Sequence, residues 1–190
     1  MSSPEPALPL RSDARRNRDK LVAAARAAFA TADGTVALEA VAREAGVGIG
    51  TLYRHFATRE ALVEAVYAAE LDDVTGNAAA LLAELAPEQA LRAWMDRYAA
   101  FVATKRGMGD VLRASVASGR IATPATRQRI TAAIGAILDA GAKAGTLRAA
   151  DPEDVTLLLL GVFLSTVDER DPGRTGRMLD LILDALRVSR

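Results

Sequence analysis

Apolar residues recur along most of the chain at the three- and four-residue spacing of a helix that buries one face. Leu91, Trp94, Met95, Tyr98 and Phe101 form one such stripe. No segment alternates with the two-residue period of a strand, and no repeat of solenoid length occurs. The pattern therefore predicts an all-α protein of about nine helices.

Helix start signals divide this pattern into segments. Thr58 can accept a hydrogen bond as an N-cap, and Asp151 is an N-cap candidate followed by proline at the first helical position. Residues 1–11 contain three prolines and are predicted to be a disordered tail. The predicted helices span 12–31, 38–45, 49–56, 58–82, a stretch opening at 87, 110–118, 124–145, 152–167 and 178–188.

The segment from Val41 to Phe56 predicts two short helices joined by a tight turn. Gly46 can adopt positive φ after the first helix, and Leu52 and Phe56 lie one turn apart on a single face of the second. This is the outline of a helix-turn-helix that binds DNA. The other faces of the second helix carry hydrogen-bond donors suited to phosphates and base edges, namely Thr51, Tyr53, Arg54 and His55.

The pattern A-x-x-A-G-V-x-x-x-T-L-Y-x-H-F, which ends at Phe56, is followed by Thr58-Arg-Glu-Ala-Leu62. Over about residues 15–66 the chain resembles the N-terminal domain of the TetR family of transcriptional regulators. The resemblance implies a three-helix helix-turn-helix DNA-binding domain at 12–57. It also implies a helical ligand-binding and dimerisation domain at 58–190, where the similarity is architectural.

The resemblance implies that Tyr53 and His55 contact phosphates, that Thr51 lies near bases, and that Arg59 contacts a flanking phosphate. In the alternative, Tyr53 packs on the first helix and His55 is an ordinary surface group. Arg16 and Arg18 either reach flanking DNA or belong to a solvated face. The full predicted DNA-binding set is Arg43, Gly48, Ile49, Gly50, Thr51, Tyr53, Arg54, His55 and Arg59.

The start of the second helix departs from the family pattern. Gly48, Ile49 and Gly50 supply few side-chain donors, so base readout relies on Thr51, Arg54, Arg43 or a contact such as Ile49 to a thymine methyl group. Each glycine also weakens a short helix by about 1 kcal/mol relative to alanine. Ala37 stands where the family usually has a Ser or Thr N-cap.

The resemblance implies a small-molecule effector pocket in the body, lined by a helical stripe of methionine and aromatic side chains with neighbouring apolar residues. The alternative is ordinary core packing, because any helical bundle buries such a stripe. No buried charge is predicted there; Asp96, Arg97, Arg113 and Asp139 are polar candidates if their faces turn inward. The predicted pocket residues are Trp94, Met95, Tyr98, Phe101, Met108, Leu112, Val116, Ile134 and Phe163.

Two apolar helices, 152–167 and 178–188, are expected to pair with their mates as a four-helix bundle in a homodimer. The first is apolar nearly all round and is predicted to be buried on most sides. The predicted interface residues are Leu157, Leu160, Leu164, Leu179, Ile182, Leu183 and Leu186.

Composition narrows the function classes. From Arg11 to Arg59 there are nine basic and five acidic residues, whereas the rest of the chain from Glu60 has fifteen basic and eighteen acidic residues. A basic N-terminal quarter on an acidic body is typical of a DNA-binding head on a sensor domain. The chain has no cysteine, and its one histidine lies in the DNA-binding motif. An enzyme, a metal site and a cofactor are therefore not expected.

The longest apolar run, from Val155 to Val167, is shorter than a membrane span requires, and the N-terminus lacks the pattern of a signal peptide. We therefore expect a cytoplasmic protein without a membrane partner. The predicted function is a ligand-responsive repressor that binds a palindromic operator in double-stranded DNA as a homodimer. The alternative is a ligand-binding or interaction module of the same fold with weak or lost DNA binding.

Overall fold

The computed structural model describes residues 8–32, 35–121, 124–166, 171 and 173–188. Within them the chain forms nine α-helices, which confirms the predicted all-α fold. None of the described helices is both long and apolar enough to cross a membrane. The helices are α1 (Leu8–Thr31), α2 (Leu38–Glu44), α3 (Ile49–His55), α4 (Arg59–Glu84), α5 (Pro87–Gly107), α6 (Gly109–Ala117), α7 (Pro124–Ala144), α8 (Pro152–Ser165) and α9 (Arg174–Leu186).

Helices α1, α2 and α3 pack on one another around a small apolar core. Phe29, Val41, Leu52 and Phe56 are each at most 2% exposed, because the helical repeat places them on inward faces. Gly46 has φ of 69° in the turn between α2 and α3, the left-handed conformation that glycine adopts without strain. Leu52 and Phe56, predicted from their spacing to share one face, are therefore both buried in this core.

Local capping chemistry sets several helix starts. The backbone N–H of Ala61 donates to the Thr58 hydroxyl at 3.2 Å, and that of Glu153 donates to the Asp151 carboxylate at 2.7 Å. Both predicted N-caps are thus present. Ala37, at the start of α2, makes no side-chain cap bond.

Two boundaries differ from the sequence prediction. Helix α1 begins at Leu8, so residues 8–11 of the predicted tail are helical, while residues 1–7 lie outside the described part of the chain. Helix α9 begins at Arg174 instead of Met178, because Asp171 accepts a hydrogen bond from the Gly173 N–H and pairs with Arg177. The α9 extension, Arg174-Thr-Gly-Arg177, has no large apolar side chain, so an apolar periodicity does not detect it; the α1 extension contains Pro9, one of the prolines on which the tail prediction rested.

The chain divides into two compact units. The first, called the head unit, extends to Ala69 and also includes Thr104–Ser118, so it contains the end of α5 and all of α6. The second, called the body unit, consists of Glu70–Ala103 and the chain from Gly119 onward. The predicted boundary at 57/58 is therefore not the boundary between the compact units.

Aromatic packing stabilises the body unit. The Trp94 indole N–H donates to the Val74 carbonyl at 2.9 Å, and the Tyr98 ring lies 5.2 Å from the Phe163 ring in an edge-on arrangement. Helix α8 packs against α7 and α9. The segment after α7 forms an isolated antiparallel bridge between Leu147 and Arg187, which the helical periodicity did not predict.

Candidate nucleic-acid interface

Helix α3 presents one face to the core and the opposite face to solvent. Leu52 is fully buried, and the helical repeat places Gly50 and Arg54 on the far side. Tyr53 is 48% exposed, which leaves about half of its side chain accessible to a ligand. His55 and Thr51 are half-buried at the edge of this outward surface. The helix is thus held by its apolar side and leaves its polar side uncovered.

Two exposed arginines of the helix-turn-helix make no side-chain hydrogen bond or ion pair with the described part of the chain. Arg43 on α2 and Arg54 on α3 are both exposed, and neither side chain makes an ion pair or hydrogen bond to another described residue. Their guanidinium groups therefore retain all their donors. Guanidinium groups bind phosphates and guanine edges through paired N–H donors, so both can serve a nucleic-acid ligand.

Arg59 has a structural contact that the sequence did not reveal. Its Nη1 donates to the Val36 carbonyl at 2.6 Å, which ties the start of α4 to the segment before α2. The guanidinium group carries further N–H donors, so this bond is compatible with a phosphate contact. The assignment of Arg59 to a flanking phosphate stays a prediction.

Two arginines of α1 have intramolecular contacts. The Arg18 guanidinium carbon lies 5.2 Å from the centre of the Phe56 ring, in a cation–π contact at the end of α3. Arg16 forms an ion pair with Asp13 three residues earlier. Arg18 therefore places its positive charge beside the end of α3, whereas the charge of Arg16 is paired within α1.

Most of the predicted pocket residues are buried, but they are divided between the two units. Trp94, Met95, Tyr98, Phe101, Ile134 and Phe163 belong to the body unit and are at most 3% exposed, and the rings of Trp94 and Tyr98 lie 5.4 Å apart. Met108, Leu112 and Val116 belong to the head unit, and Val116 is 43% exposed. The boundary between the two units falls between Ala103 and Thr104, inside α5, and the apolar periodicity of the sequence gives no sign of it.

Glu70 corrects the expectation that the body has no buried charge. It is 1% exposed in α4, and its neighbour Leu71 and the residue one turn on, Val74, are also buried. The signal was present in the sequence, because Glu70 lies two helical turns after Val63 and one turn before Val74 on an otherwise apolar face. A carboxylate at such a position is costly to bury and is a candidate for recognising a polar group.

Of the four polar pocket candidates, Asp96, Arg113 and Asp139 are exposed, and Arg97 is half-buried. Asp96 pairs with Arg92, Arg97 donates to Asp73 at 2.9 Å, and Arg113 pairs with Asp110. Asp139 is exposed on α7. Among the described residues, no group of three or more His, Cys, Asp or Glu side chains is arranged to hold a metal ion.

The predicted interface residues of α8 and α9 differ in their exposure and fall into buried, half-buried and exposed groups. Leu179, Leu183 and Leu186 are at most 7% exposed and belong to the chain's own core, whereas Leu160 and Ile182 are half-buried. A surface that we call the leucine face carries four exposed leucines, two of which were not predicted. It comprises Leu157 (48% exposed), Leu158 (59%), Leu164 (73%) and Leu181 (68%).

The leucine face also differs from the expectation for α8, which was predicted to be buried on most sides. A groove of about 620 Å³ runs along it and is lined by Leu157, Leu158, Val162 and Met178 among others. Gly161 lies in the same groove, and a Cβ atom there would meet nothing within 4 Å. In the single chain this side of α8 and α9 is therefore apolar and uncovered.

Two family models match the chain. Residues 21–66 match the bacterial regulatory proteins of the TetR family, and residues 86–188 match the C-terminal domain of SbtR-like transcriptional regulators. The first match covers the helix-turn-helix with the later part of α1 and the start of α4, and the second covers most of the body unit. Among curated proteins, none is significantly similar to the chain.

Solved structures are similar over nearly the whole length. A TetR transcriptional regulator from Streptomyces coelicolor is 44% identical, with 91% of this chain and 99% of that chain covered and a TM-score of 0.82. A TetR transcription regulatory protein from Mycobacterium vanbaalenii is 34% identical, with 95% and 100% covered and a TM-score of 0.74. The similarity therefore includes both the head and the body.

Proposed function

The chain belongs to the TetR family of bacterial transcriptional regulators, and we propose that it is a ligand-responsive repressor that binds a palindromic operator as a homodimer. The observation that carries the proposal is the uncovered outer surface of α3, where Tyr53, Arg54 and Gly50 face solvent while Leu52 anchors the helix. A helix that is fixed on one side and polar on the other fits a major groove. Repression follows if the bound dimer excludes polymerase from the promoter.

The proposed contacts divide by chemistry. The Tyr53 phenol and His55 imidazole donate to phosphate oxygens and set the position of α3 on the duplex. Thr51 and Arg54 of α3 and Arg43 of α2 carry hydrogen-bond donors that we expect to contact base edges. Phosphate contacts carry most of the affinity, whereas base contacts determine which sequence is bound.

The leucine face supports a homodimer. Leu157 and Leu158 line an apolar groove on α8, and Leu164 and Leu181 are each more than two-thirds exposed. Several exposed leucines on two helices favour burial against a partner, and we expect that partner to be a second copy of the chain. The dimer would present two α3 helices to half-sites about one helical turn apart, on the order of 35 Å.

Contacts within the head unit support the response to an effector. Helix α5 belongs to the body unit up to Ala103 and to the head unit from Thr104 onward. Its last residue, Gly107, lies so close to α1 that a Cβ atom there would be 1.8 Å from the carbonyl oxygen of Phe29. An effector that displaces α5 in the body would therefore press on α1 and change the setting of α3.

Helix α6 and the end of α5 are also tied to α4. The Ser115 hydroxyl donates to the Glu64 carboxylate at 3.1 Å, and the Lys105 ammonium group lies 5.7 Å from the centre of the Tyr67 ring. Burial lowers the pKa of Lys105. These links make the end of α5 and α6 a part of the head and support α5 as the route of coupling. An effector shifts the equilibrium only by its differential affinity for the two states.

The proposed function is tested by fluorescence anisotropy of the full chain on DNA that flanks its own coding region, with shuffled DNA of the same composition as control. We expect binding to the native fragment to be about a thousandfold tighter at moderate salt. A protein that binds both fragments weakly, with equal and steep salt dependence, would fit the interaction-module alternative instead.

We expect Tyr53→Phe and His55→Ala each to weaken binding about tenfold on every DNA sequence, because each removes a hydrogen bond to a charged phosphate. Neither side chain needs to carry a charge, so the salt dependence should change little. Anisotropy titrations on operator and shuffled DNA measure both effects. Arg148→Ala, on the exposed surface of the body unit, is the control. Unchanged affinity in both α3 variants would mean that another face of the protein contacts DNA.

A further inference from the structure

Exposed apolar side chains in the three-helix head are confined to one helix. Among the described residues from 12 to 57, the large apolar side chains of α1 and α2 are buried, whereas Ile49 is 38% exposed and Tyr53 is 48% exposed. Both belong to α3 and lie four residues apart, so they are neighbours on one side of the helix. An exposed isoleucine beside an exposed aromatic ring indicates an apolar contact with a ligand that the free chain lacks.

Glycines flank Ile49, and folding does not require either of them. Gly48 has φ of −73° and ψ of 150°, values that any residue adopts, and Gly50 lies within α3. A Cβ atom at either position would meet nothing within 4 Å. Gly46 differs, because its φ of 69° favours glycine. The absence of side chains at Gly48 and Gly50 therefore has no explanation within the chain, although glycine weakens a helix.

An approaching DNA duplex supplies the missing explanation. Gly50 lies on the side of α3 opposite the buried Leu52, which is the part of the helix farthest from the core. Without a Cβ atom there, the backbone can approach a surface more closely. Ile49 lies about 100° around the helix from Gly50, so the same approach brings its side chain toward base edges along one side of α3.

The chemistry of the groove identifies what Ile49 meets. Base edges in the major groove present hydrogen-bond donors and acceptors together with one apolar group, the C5 methyl of thymine. An isoleucine cannot satisfy a donor or an acceptor, so placing it against other base edges leaves polar atoms desolvated and unpaired.

We propose that Ile49 reads the C5 methyl group of a thymine in each operator half-site, and that Gly48 and Gly50 admit the backbone close enough for this contact. The inference rests on the proposed function, since it requires that α3 docks in the major groove. Ile49 would thus contribute to sequence specificity through an apolar contact instead of a hydrogen bond.

The test replaces thymine with deoxyuridine, which keeps base pairing and removes the methyl group alone. The probe is a fluorescent duplex that is selected from random sequences for binding to the full chain. In each variant of this duplex, deoxyuridine replaces thymine at one position, and the same position is changed in both half-sites. We expect one position to weaken binding about fourfold per half-site, which is the effect of losing one buried methyl contact. The other positions should show little change.

Variants connect that position to Ile49. In Ile49→Ala the affinities for the thymine and deoxyuridine duplexes should become equal, because the contact is lost from the protein side. Gly50→Ala should weaken operator binding while leaving the free protein at least as stable, since the added Cβ has room in the chain but lies between α3 and the duplex. Gly76→Ala, on the exposed side of α4, is the matched control and should leave operator binding unchanged.

Two results overturn the inference while leaving the proposed function intact. One is specific binding that no deoxyuridine substitution weakens. The other is an Ile49→Ala protein that keeps the full sensitivity to the methyl group. If random-sequence selection yields no preferred duplex at all, both the proposed function and this inference fail.

Discussion

Replacing Leu164 with glutamate is expected to convert the protein to a monomer and to weaken operator binding about a hundredfold or more, because two linked heads bind far more tightly than one. Leu164 is 73% exposed in the single chain, so the charge costs the folded monomer little. In a dimer the same carboxylate would be buried against apolar side chains without a partner. Sedimentation analysis gives the mass, and anisotropy on the palindromic duplex gives the affinity.

Leu85→Glu is the matched control, because Leu85 is also exposed, at 37%, but lies outside the leucine face. It should remain a dimer with unchanged affinity. Leu183→Glu should behave differently from both, since Leu183 is 4% exposed in the chain's own core and its replacement should unfold the protein. A Leu164→Glu protein that stays dimeric would show that another surface forms the dimer, and a monomer with full operator affinity would exclude the proposed dimeric mechanism.

Gly107→Ala is expected to lower the free energy of unfolding by about 1–3 kcal/mol, the usual cost of forcing extra volume into a packed contact. The added Cβ would lie 1.8 Å from the Phe29 carbonyl oxygen and 2.7 Å from its carbon, so α1 and the end of α5 must separate. Because both belong to the head unit, operator binding should weaken as well. Urea unfolding and anisotropy on the same preparation measure the two effects.

Gly76→Ala is expected to change the free energy of unfolding in the opposite direction. Gly76 lies in α4 with open space around its Cα, so alanine there should raise the free energy of unfolding by about 1 kcal/mol through helix propensity. If Gly107→Ala were as stable as Gly76→Ala, the close approach of α5 to α1 would not exist in solution. The proposed coupling through α5 would then lose its support.

The apolar periodicity predicted the helices well because that information is local. The spacing of Leu52 and Phe56 indicated the inward face of α3, Gly46 indicated the turn before it, and Thr58 and Asp151 indicated two helix starts. Each of these depends on residues within about one helical turn, which the sequence displays directly. The helix-turn-helix motif is equally local, so the family was recognisable from residues 15–66.

Which individual side chains are buried could be determined only from the tertiary structure. The leucines of α8 and α9 have the same chemistry, yet Leu179 is 1% exposed and Leu181 is 68% exposed. Glu70 lies among apolar residues at 1% exposure, and Arg59 donates to a carbonyl 23 residues away. These outcomes depend on which helices meet across long stretches of chain.

The sequence by itself therefore determined the helical fold and the turn chemistry, and it supplied the residues of α3 that we propose to contact DNA. The tertiary structure decided which leucines remain exposed, where the head unit ends within α5, and that no described residue fills the space at Gly48 and Gly50. The physical reason is that helix formation and capping are set by near neighbours, whereas burial and close approach are set by packing between segments distant in sequence.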